Sequence, residues 1–214
     1  MLPTATRLDR STVRFGPVQV DYDQRVLAPR PWTLTQSRWT AELAVDSEPG
    51  RLLELCAGAG HIGLAAAVLA DRDLLQVEAD PIAAEYARFN AARAGWGPRT
   101  EVRTASLDAA LTEDERFGLV IADPPYLPSD AVARWPADPV AAIDGGAAGL
   151  DLIRACLDAA GAHLSAAGRM LLQVAGPAQA DQVANLLPDL PCPLVAGARR
   201  TVDDQRAIMQ LSRP

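Results

Sequence analysis

The sequence predicts an α/β fold with a mostly parallel sheet, on three observations. The apolar run Leu52-Leu53-Glu54-Leu55 leads through a small-residue turn containing Gly58 and Gly60 directly into an alanine- and leucine-rich helical pattern that reaches Ala70. A second apolar strand, Leu74–Glu78, is followed by Asp80-Pro81, with the acid placed as a helix N-cap and the proline at the first helical position. Further apolar strands at Leu119–Ala122 and Gly168–Val174 continue the alternation with helical segments. Strands and helices alternating in this way imply parallel strands joined by right-handed crossovers.

The remaining elements follow in order. Val13 and Phe15, then Val18, Val20 and Tyr22, alternate around Gly16-Pro17 and predict a short N-terminal β-hairpin within residues 12–27. The prolines of residues 28–32 exclude helix up to Trp32, and a helix from Gln36 to Val45 is expected with Thr35 as its cap. Trp32 and Trp39 either pack against the sheet or belong to a lid over the ligand cleft. The Asp80 helix runs to Ala94 and stops at Gly95. Val102 begins a third strand. A glycine loop, Asp144–Gly149, precedes a helix with Leu152, Ile153, Cys156 and Leu157 on one face. A helix over 178–187 and two strands, 194–198 and 207–211, complete the chain, the strands joined by the polar R-R-T-V-D-D-Q-R. Arg199, Arg200, Asp203, Asp204 and Arg206 read as a solvated turn or as the rim of the substrate opening. With 214 residues and no repeat or linker, a single domain is expected. Residues 1–50 form an extension packed on a ligand-binding core, 51–214.

Composition excludes several functions. The first ten residues lack an apolar core of the kind an export signal needs, and no apolar run approaches the ~18–20 residues of a membrane span. Three widely spaced cysteines without a CxxC pair argue against a disulfide framework or zinc site and fit a cytoplasmic protein. With His61 and His163 the only histidines, no metal site is expected. His61 reads as a cleft-lining or capping residue, His163 as structural. The net charge of −7 opposes grip on an extended duplex, whose binding depends on phosphate neutralisation. A protein or small-molecule substrate is compatible with it, as is a partner subunit.

A buried strand feeding a glycine turn that opens a helix is how α/β folds hold nucleotide-like ligands. Glu78, an acid at the end of the second strand about 20 residues after that turn, is placed to accept hydrogen bonds from ribose hydroxyls. The turn lacks the G-x-G-x-x-G spacing that cradles a pyrophosphate. The most specific feature is Asp123-Pro124-Pro125-Tyr126, directly after a buried strand. Two prolines fix a rigid extended turn at the carboxyl end of the sheet, where such folds bind ligands. Its carbonyls and the Asp123 carboxyl can hold a planar –NH2 group, and Tyr126 can stack on it.

With these motifs in hand, the chain resembles the class I S-adenosylmethionine-dependent methyltransferases of the small-methyltransferase group. It is similar to the glutamine N5-methyltransferases of peptide release factors and their single-domain relatives. The resemblance rests on E-L-C-A-G-A-G (54–60), E-A-D-P-I-A (78–83), D-P-P-Y (123–126), D-G-G-A-A-G-L-D (144–151) and P-R-P-W-T (29–33), in that family's order across residues 26–211. It implies a Rossmann-like seven-stranded sheet with helices on both faces and an antiparallel C-terminal strand.

For the cofactor, S-adenosyl-L-methionine, the resemblance implies contacts from Glu54, Cys56, Ala57, Gly58 and Gly60 to the methionine part and from Glu78 to the ribose. Thr33, Ala79 and Ser106 complete the implied cofactor set. Asp123, Pro124 and Tyr126 would form the catalytic group that orients the accepting nitrogen. The family usually has glycine at Cys56, asparagine at Asp123 and often an acid at Trp32. The 50 residues before the cofactor motif leave no room for the extra N-terminal helical domain of the bacterial release-factor enzymes. The implied activity is N-methylation, with a protein glutamine amide as the first acceptor. A nucleobase in RNA, a small molecule, or a non-catalytic cofactor-binding scaffold are the alternatives.

Overall fold

The structure, a computed structural model, describes residues 9–214; the first eight, read above for an export signal, lie outside the described residues. Among the described residues, no helix is long and apolar enough to cross a membrane.

A two-stranded hairpin, β1 (Ser11–Phe15) and β2 (Val18–Tyr22), precedes a helix, α1 (Leu34–Ala44). The sheet strands are β3 (Leu52–Leu55), β4 (Leu74–Glu78), β5 (Thr100–Thr104), β6 (Phe117–Ala122), β7 (Leu164–Val174), β8 (Val195–Asp203) and β9 (Arg206–Ser212). Helices α2 (His61–Ala70), α3 (Pro81–Arg93), α4 (Asp151–His163) and α5 (Gly176–Leu186) lie between them. The seven strands are ordered β5-β4-β3-β6-β7-β9-β8, with β9 antiparallel to both its neighbours and the other pairs parallel. The chain builds outward from β3 to β4 and β5, then returns to β6 on the other side. Such a reversal of strand order opens a crevice at the carboxyl ends of the central strands.

Alternation along the strands sends side chains to two cores. Leu53, Leu55, Val120 and Leu172 pack with α4 and α5, through Ile153, Leu157 and Val183. Leu52, Leu74 and Ile121 pack with α2 and α3 on the opposite face, where Phe15 and Val20 of the hairpin join them. Trp39 of α1 packs on Leu171 and Ile208, so the packing role holds for this tryptophan and the lid role does not. The hairpin is fixed to α3 by polar bonds: Asn90 donates to the Asp21 carbonyl (3.0 Å) and Tyr86 donates to Asp23 (2.7 Å).

Several boundaries differ from the sequence expectation. Helix begins earlier than Gln36: Pro31–Thr33 form a 3-10 turn that runs into α1 at Leu34, and Thr35 is not the cap. Proline at the first position of the turn loses no bond there, which is why it starts the turn instead of excluding it. The β8–β9 pair is longer than expected. The polar stretch taken as a connection continues β8 to Asp203, and Asp203 faces Arg206 across a two-residue turn. β8 is an edge strand with most of its side chains in solvent, so it carries no apolar alternation to read. β5 starts at Thr100, two residues ahead of Val102, and β7 at Leu164 instead of Gly168. On α4, Ile153, Cys156 and Leu157 are buried as expected, whereas Leu152 is only half-buried.

Gly60 is the glycine on which the crevice depends most. Its φ is +79°, and a Cβ there would meet Gln76 Nε2 at 2.8 Å and Ala87 Cβ at 3.0 Å. Gly60→Ala is therefore expected to destabilise the fold by about 2–4 kcal/mol, left-handed strain adding to overpacking. Urea unfolding of the two proteins measures the difference.

Candidate active site

The crevice floor is the turn between β3 and α2. Cys56 adopts φ +56°, a left-handed conformation that glycine enters without strain, and Gly58 follows at φ +55°. Cys56 Sγ lies 3.8 Å from Cys156 Sγ on α4. That neighbour first, and burial second, push the Cys56 thiol well above its ordinary range. It stays protonated and is no nucleophile. Ala57 is buried, its N–H donating to the Val77 carbonyl (3.1 Å).

Under this turn lies Glu54. It is buried, and its carboxylate accepts from the Gly63 amide (2.8 Å) and Gln76 Nε2 (2.6 Å). Gln76 Nε2 also donates to the Gly60 carbonyl (2.9 Å), so one amide joins β4, the carboxylate and the start of α2. Burial pushes the Glu54 carboxyl up to about 8, against the pull of these two bonds, and the nearby Asp123 and Glu78 push the same way. Each oxygen of Glu54 thus accepts one hydrogen bond beneath α2.

Glu78 ends β4 at the crevice edge. Its carboxylate accepts from the Gly58 amide (2.7 Å) and the Asp80 amide (2.8 Å). Burial, foremost, raises its pKa. Asp80 caps α3 as expected, accepting from Ile82 (2.7 Å) and Ala83 (3.1 Å). Ala79 and Ser106 are exposed; the Ala105 amide beside Ser106 donates to the Glu78 carbonyl (3.1 Å), which brings both to the Glu78 rim. Thr33 does not join them. It is buried, and its hydroxyl donates to the Arg30 carbonyl (2.8 Å), which secures the turn into α1.

The D-P-P-Y turn leaves the end of β6 beside this floor. Burial pushes the Asp123 carboxyl up to about 7 although part of its surface is still open to solvent, and the Gln173 amide pulls in the opposite direction. Tyr126 is half-buried and raised by burial above its ordinary value, so it remains a neutral phenol. The glycine loop after Asp144 is the buttress of this turn. A Cβ on Gly145 would meet the Pro125 carbonyl at 2.7 Å and Tyr126 Cα at 2.9 Å. Gln179 of α5 donates to the Tyr126 carbonyl (2.9 Å) and the Gly149 carbonyl (3.1 Å), tying turn and loop together.

Other residues flank the opening. Gln36 of α1 donates to the Ala122 (3.0 Å) and Leu171 (2.9 Å) carbonyls at the ends of β6 and β7. Arg30 makes a bidentate pair with Asp138 (2.6 Å to each oxygen), joining the segment before α1 to the excursion that follows D-P-P-Y. The Arg206 guanidinium sits over Trp32, 5.3 Å from the ring centroid, so this arginine lies at the opening and not in a detached solvated turn. His61 is buried, edge-on to Phe15 at 4.9 Å, and burial lowers it to about 4, so it is neutral. His163 is structural: a ring nitrogen contacts the Glu115 carbonyl at 3.0 Å. Among the described residues no His, Cys, Asp or Glu cluster is arranged to hold a metal. The sequence reading missed Gln76, Gln173 and Gln36. The signal for the first two is a glutamine within an otherwise apolar strand, L-L-Q-V, at residues 74–77 and again at 171–174.

Fold and crevice together define a class: this is the class I methyltransferase fold. The ribosomal protein L11 methylase from Lactobacillus delbrueckii subsp. bulgaricus shares it with a TM-score of 0.65 at 16% identity, over 89% of this chain and 83% of that one. In sequence, the chain is similar to glutamine methyltransferases. It is 30% identical over 189 residues to the ribosomal protein uL3 glutamine methyltransferase of Bradyrhizobium diazoefficiens, covering 80% of this chain and 57% of that protein. It is 34% identical over 171 residues to the release factor glutamine methyltransferase of Cereibacter sphaeroides, covering 75% and 58%. The chain thus spans less than three-fifths of the length of these curated relatives. Residues 38–135 also match a family described as "Conserved hypothetical protein 95".

The two raised carboxyls fix how stability varies with pH. Glu54 and Asp123, at about 8 and about 7 in the folded chain, ionise near 4.5 and 3.8 when it unfolds. Between those limits the folded state binds more protons, so stability falls as pH rises through them. Asp23 and Glu115, both held down to about 2 by arginine partners, oppose this at the acid end and lose their contribution as pH falls towards 2. Calorimetry is expected to find the highest Tm near pH 4 and a decline towards pH 8.5. In Asp123→Asn that decline becomes shallower.

Proposed function

We propose that this protein is an S-adenosylmethionine-dependent methyltransferase that methylates a planar nitrogen, with a protein glutamine amide as its acceptor. The observation that carries the proposal is the D-P-P-Y turn at the end of β6, buttressed by the glycine loop and set beside the β3 turn. Similarity to two glutamine methyltransferases supports the acceptor.

The residues present fit the cofactor. Glu78 ends β4 where a ribose diol would be held, and the backbone from Cys56 to Gly60 forms the floor beneath the methionine part. Ala79 and Ser106 lie on the rim toward the adenine. Glu54 would act from below, through the turn that it secures. Glu54, Glu78 and Asp123 form an acidic set that suits a cationic ligand. When bound, S-adenosylmethionine supplies a methyl group activated by its sulfonium.

The chain's own residues then align the acceptor and manage its proton. The Asp123 carboxylate and the Pro124 carbonyl accept the two hydrogens of the acceptor –NH2 group, which fixes its plane and its distance. Tyr126, neutral, stacks on that plane. Asp123 accepts the proton that the nitrogen loses, a role suited to a carboxyl poised near 7.

Two variants separate the roles. Asp123→Ala is expected to lower kcat by about 100-fold or more while cofactor affinity falls by only about a few-fold. Glu78→Ala is expected to weaken cofactor binding by about 10- to 100-fold, since it removes charged hydrogen bonds. Isothermal titration with S-adenosylmethionine reads the second effect. Transfer of labelled methyl into the proteins of a cell extract reads the first, and mass spectrometry locates the label. Label on a glutamine supports the proposal, and label in RNA or in small molecules reassigns the acceptor. In the wild type the rate is expected to rise as pH increases through about 7, as Asp123 ionises.

A further inference from the structure

Asp123 has a neighbour that the catalytic reading does not use. β6 and β7 are parallel with Ala122 opposite Leu172, so the next pair in register is Asp123 and Gln173. Leu171 packs on Trp39 of α1, and alternation puts Gln173 on that same face. Gln173 is 1% exposed, and its Oε1 has no partner among the described residues. Hydrogen bonding from its amide pulls the pKa of both Asp123 and Tyr126 down, against burial. A buried amide with an unpaired oxygen is costly in an apolar sheet, where a methionine or leucine would fill the same volume. Stability therefore does not account for a glutamine here.

We propose that Gln173 is a positioning residue of the acceptor site, its carboxamide bridging Asp123 and Tyr126 so that the two present one fixed edge and one fixed face to the acceptor nitrogen. The proposal rests on the methyltransferase reading for its purpose, but the bridge itself does not. Donation from the amide favours the ionised Asp123, the form able to accept from an –NH2 group. The other groups around Asp123 do not supply this. Glu54 from β3 and Glu78 from β4 are acids that bring no positive charge, and the Cys56 thiol stays protonated. From α1, Gln36 spends its amide hydrogens on the Ala122 and Leu171 carbonyls. Arg30 and Arg206 act on Tyr126. Gln173 is thus the donor on the α1 face that remains for Asp123.

The test is the titration of the Asp123 carboxyl in the full chain, followed by carbon NMR on aspartate-labelled protein and assigned with Asp123→Asn. In Gln173→Met the midpoint is expected to rise by about one pH unit, which leaves about fivefold less carboxylate at neutral pH. Thermal stability is expected to be equal or higher, because the unpaired amide oxygen is gone. Gln173→Glu, which keeps the volume and adds a like charge, is expected to raise the midpoint further. The alkaline shift of the methyl-transfer pH profile should match that of the titration in each variant, with cofactor affinity unchanged. An Asp123 midpoint that does not move in Gln173→Met overturns the proposal, as does failure of both variants to fold. If the wild type transfers no methyl group, the methyltransferase reading fails, and the titration still decides the bridge.

Discussion

The crevice depends on one buried carboxylate. Glu54 faces α2 from the centre of the sheet, and its two oxygens gather the Gly63 amide from the helix and Gln76 from the next strand. Gln76 in turn holds the Gly60 carbonyl. The turn from Cys56 to Gly60 is thereby pinned from beneath at its Gly60 end. Only then can its upper side bond outward, as the Gly58 amide does to Glu78. Gly63 is part of the same constraint, because a Cβ at that position would collide with the Glu54 carboxylate. An acid in this place is expensive, and its raised pKa records the expense. What it supplies is a turn whose positive-φ residues are held in a single arrangement.

A second constraint shapes the other wall. The two prolines after Asp123 limit what the turn can do by itself, but they do not fix where it points. Its direction comes from contact with the glycine loop. Gly145 approaches the Pro125 carbonyl and Tyr126 backbone too closely for any side chain, and Gln179 bonds across the two segments. Asp144 stabilises the loop in its turn, accepting from the Gly146 amide (2.9 Å) and Ser129 hydroxyl (2.8 Å). Two motifs about 20 residues apart in sequence therefore act as one structural unit.

The sequence made the central architecture legible where local and tertiary preferences agree. Asp80-Pro81, the apolar run of β3 and the L-L-x-V strands each satisfy their own element and the core together. β8 was not legible beyond its first residues, because an edge strand in solvent needs no apolar alternation. The start of α1 was misread because a proline that ends one helix can begin another. The site divides in the same way. Residues set by backbone geometry, Gly58, Gly60, Glu78 and the D-P-P-Y turn, could be placed from spacing. The partners of Glu54 and Thr33, Gln76 and the Arg30 carbonyl, could not, since they are settled only by packing.

Those buried glutamines explain why an acidic crevice holds together without a buried cation. Glu78 and Asp123 lie close enough to raise Glu54, yet among the described residues no arginine hydrogen-bonds to any of the three. Amide groups do instead: backbone N–H at Gly58, Gly63 and Asp80, and side-chain amide at Gln76. An arginine would neutralise the acids but would also fill the crevice with the very charge that the proposed cationic cofactor brings. Amides orient the carboxyls and leave their charge uncompensated, so some of them stay protonated near neutral pH. A cationic ligand entering this site would then favour their ionised forms and release protons as it binds. The instability that the acids impose on the empty fold is in this view the same quantity as the preference of the site for positive charge.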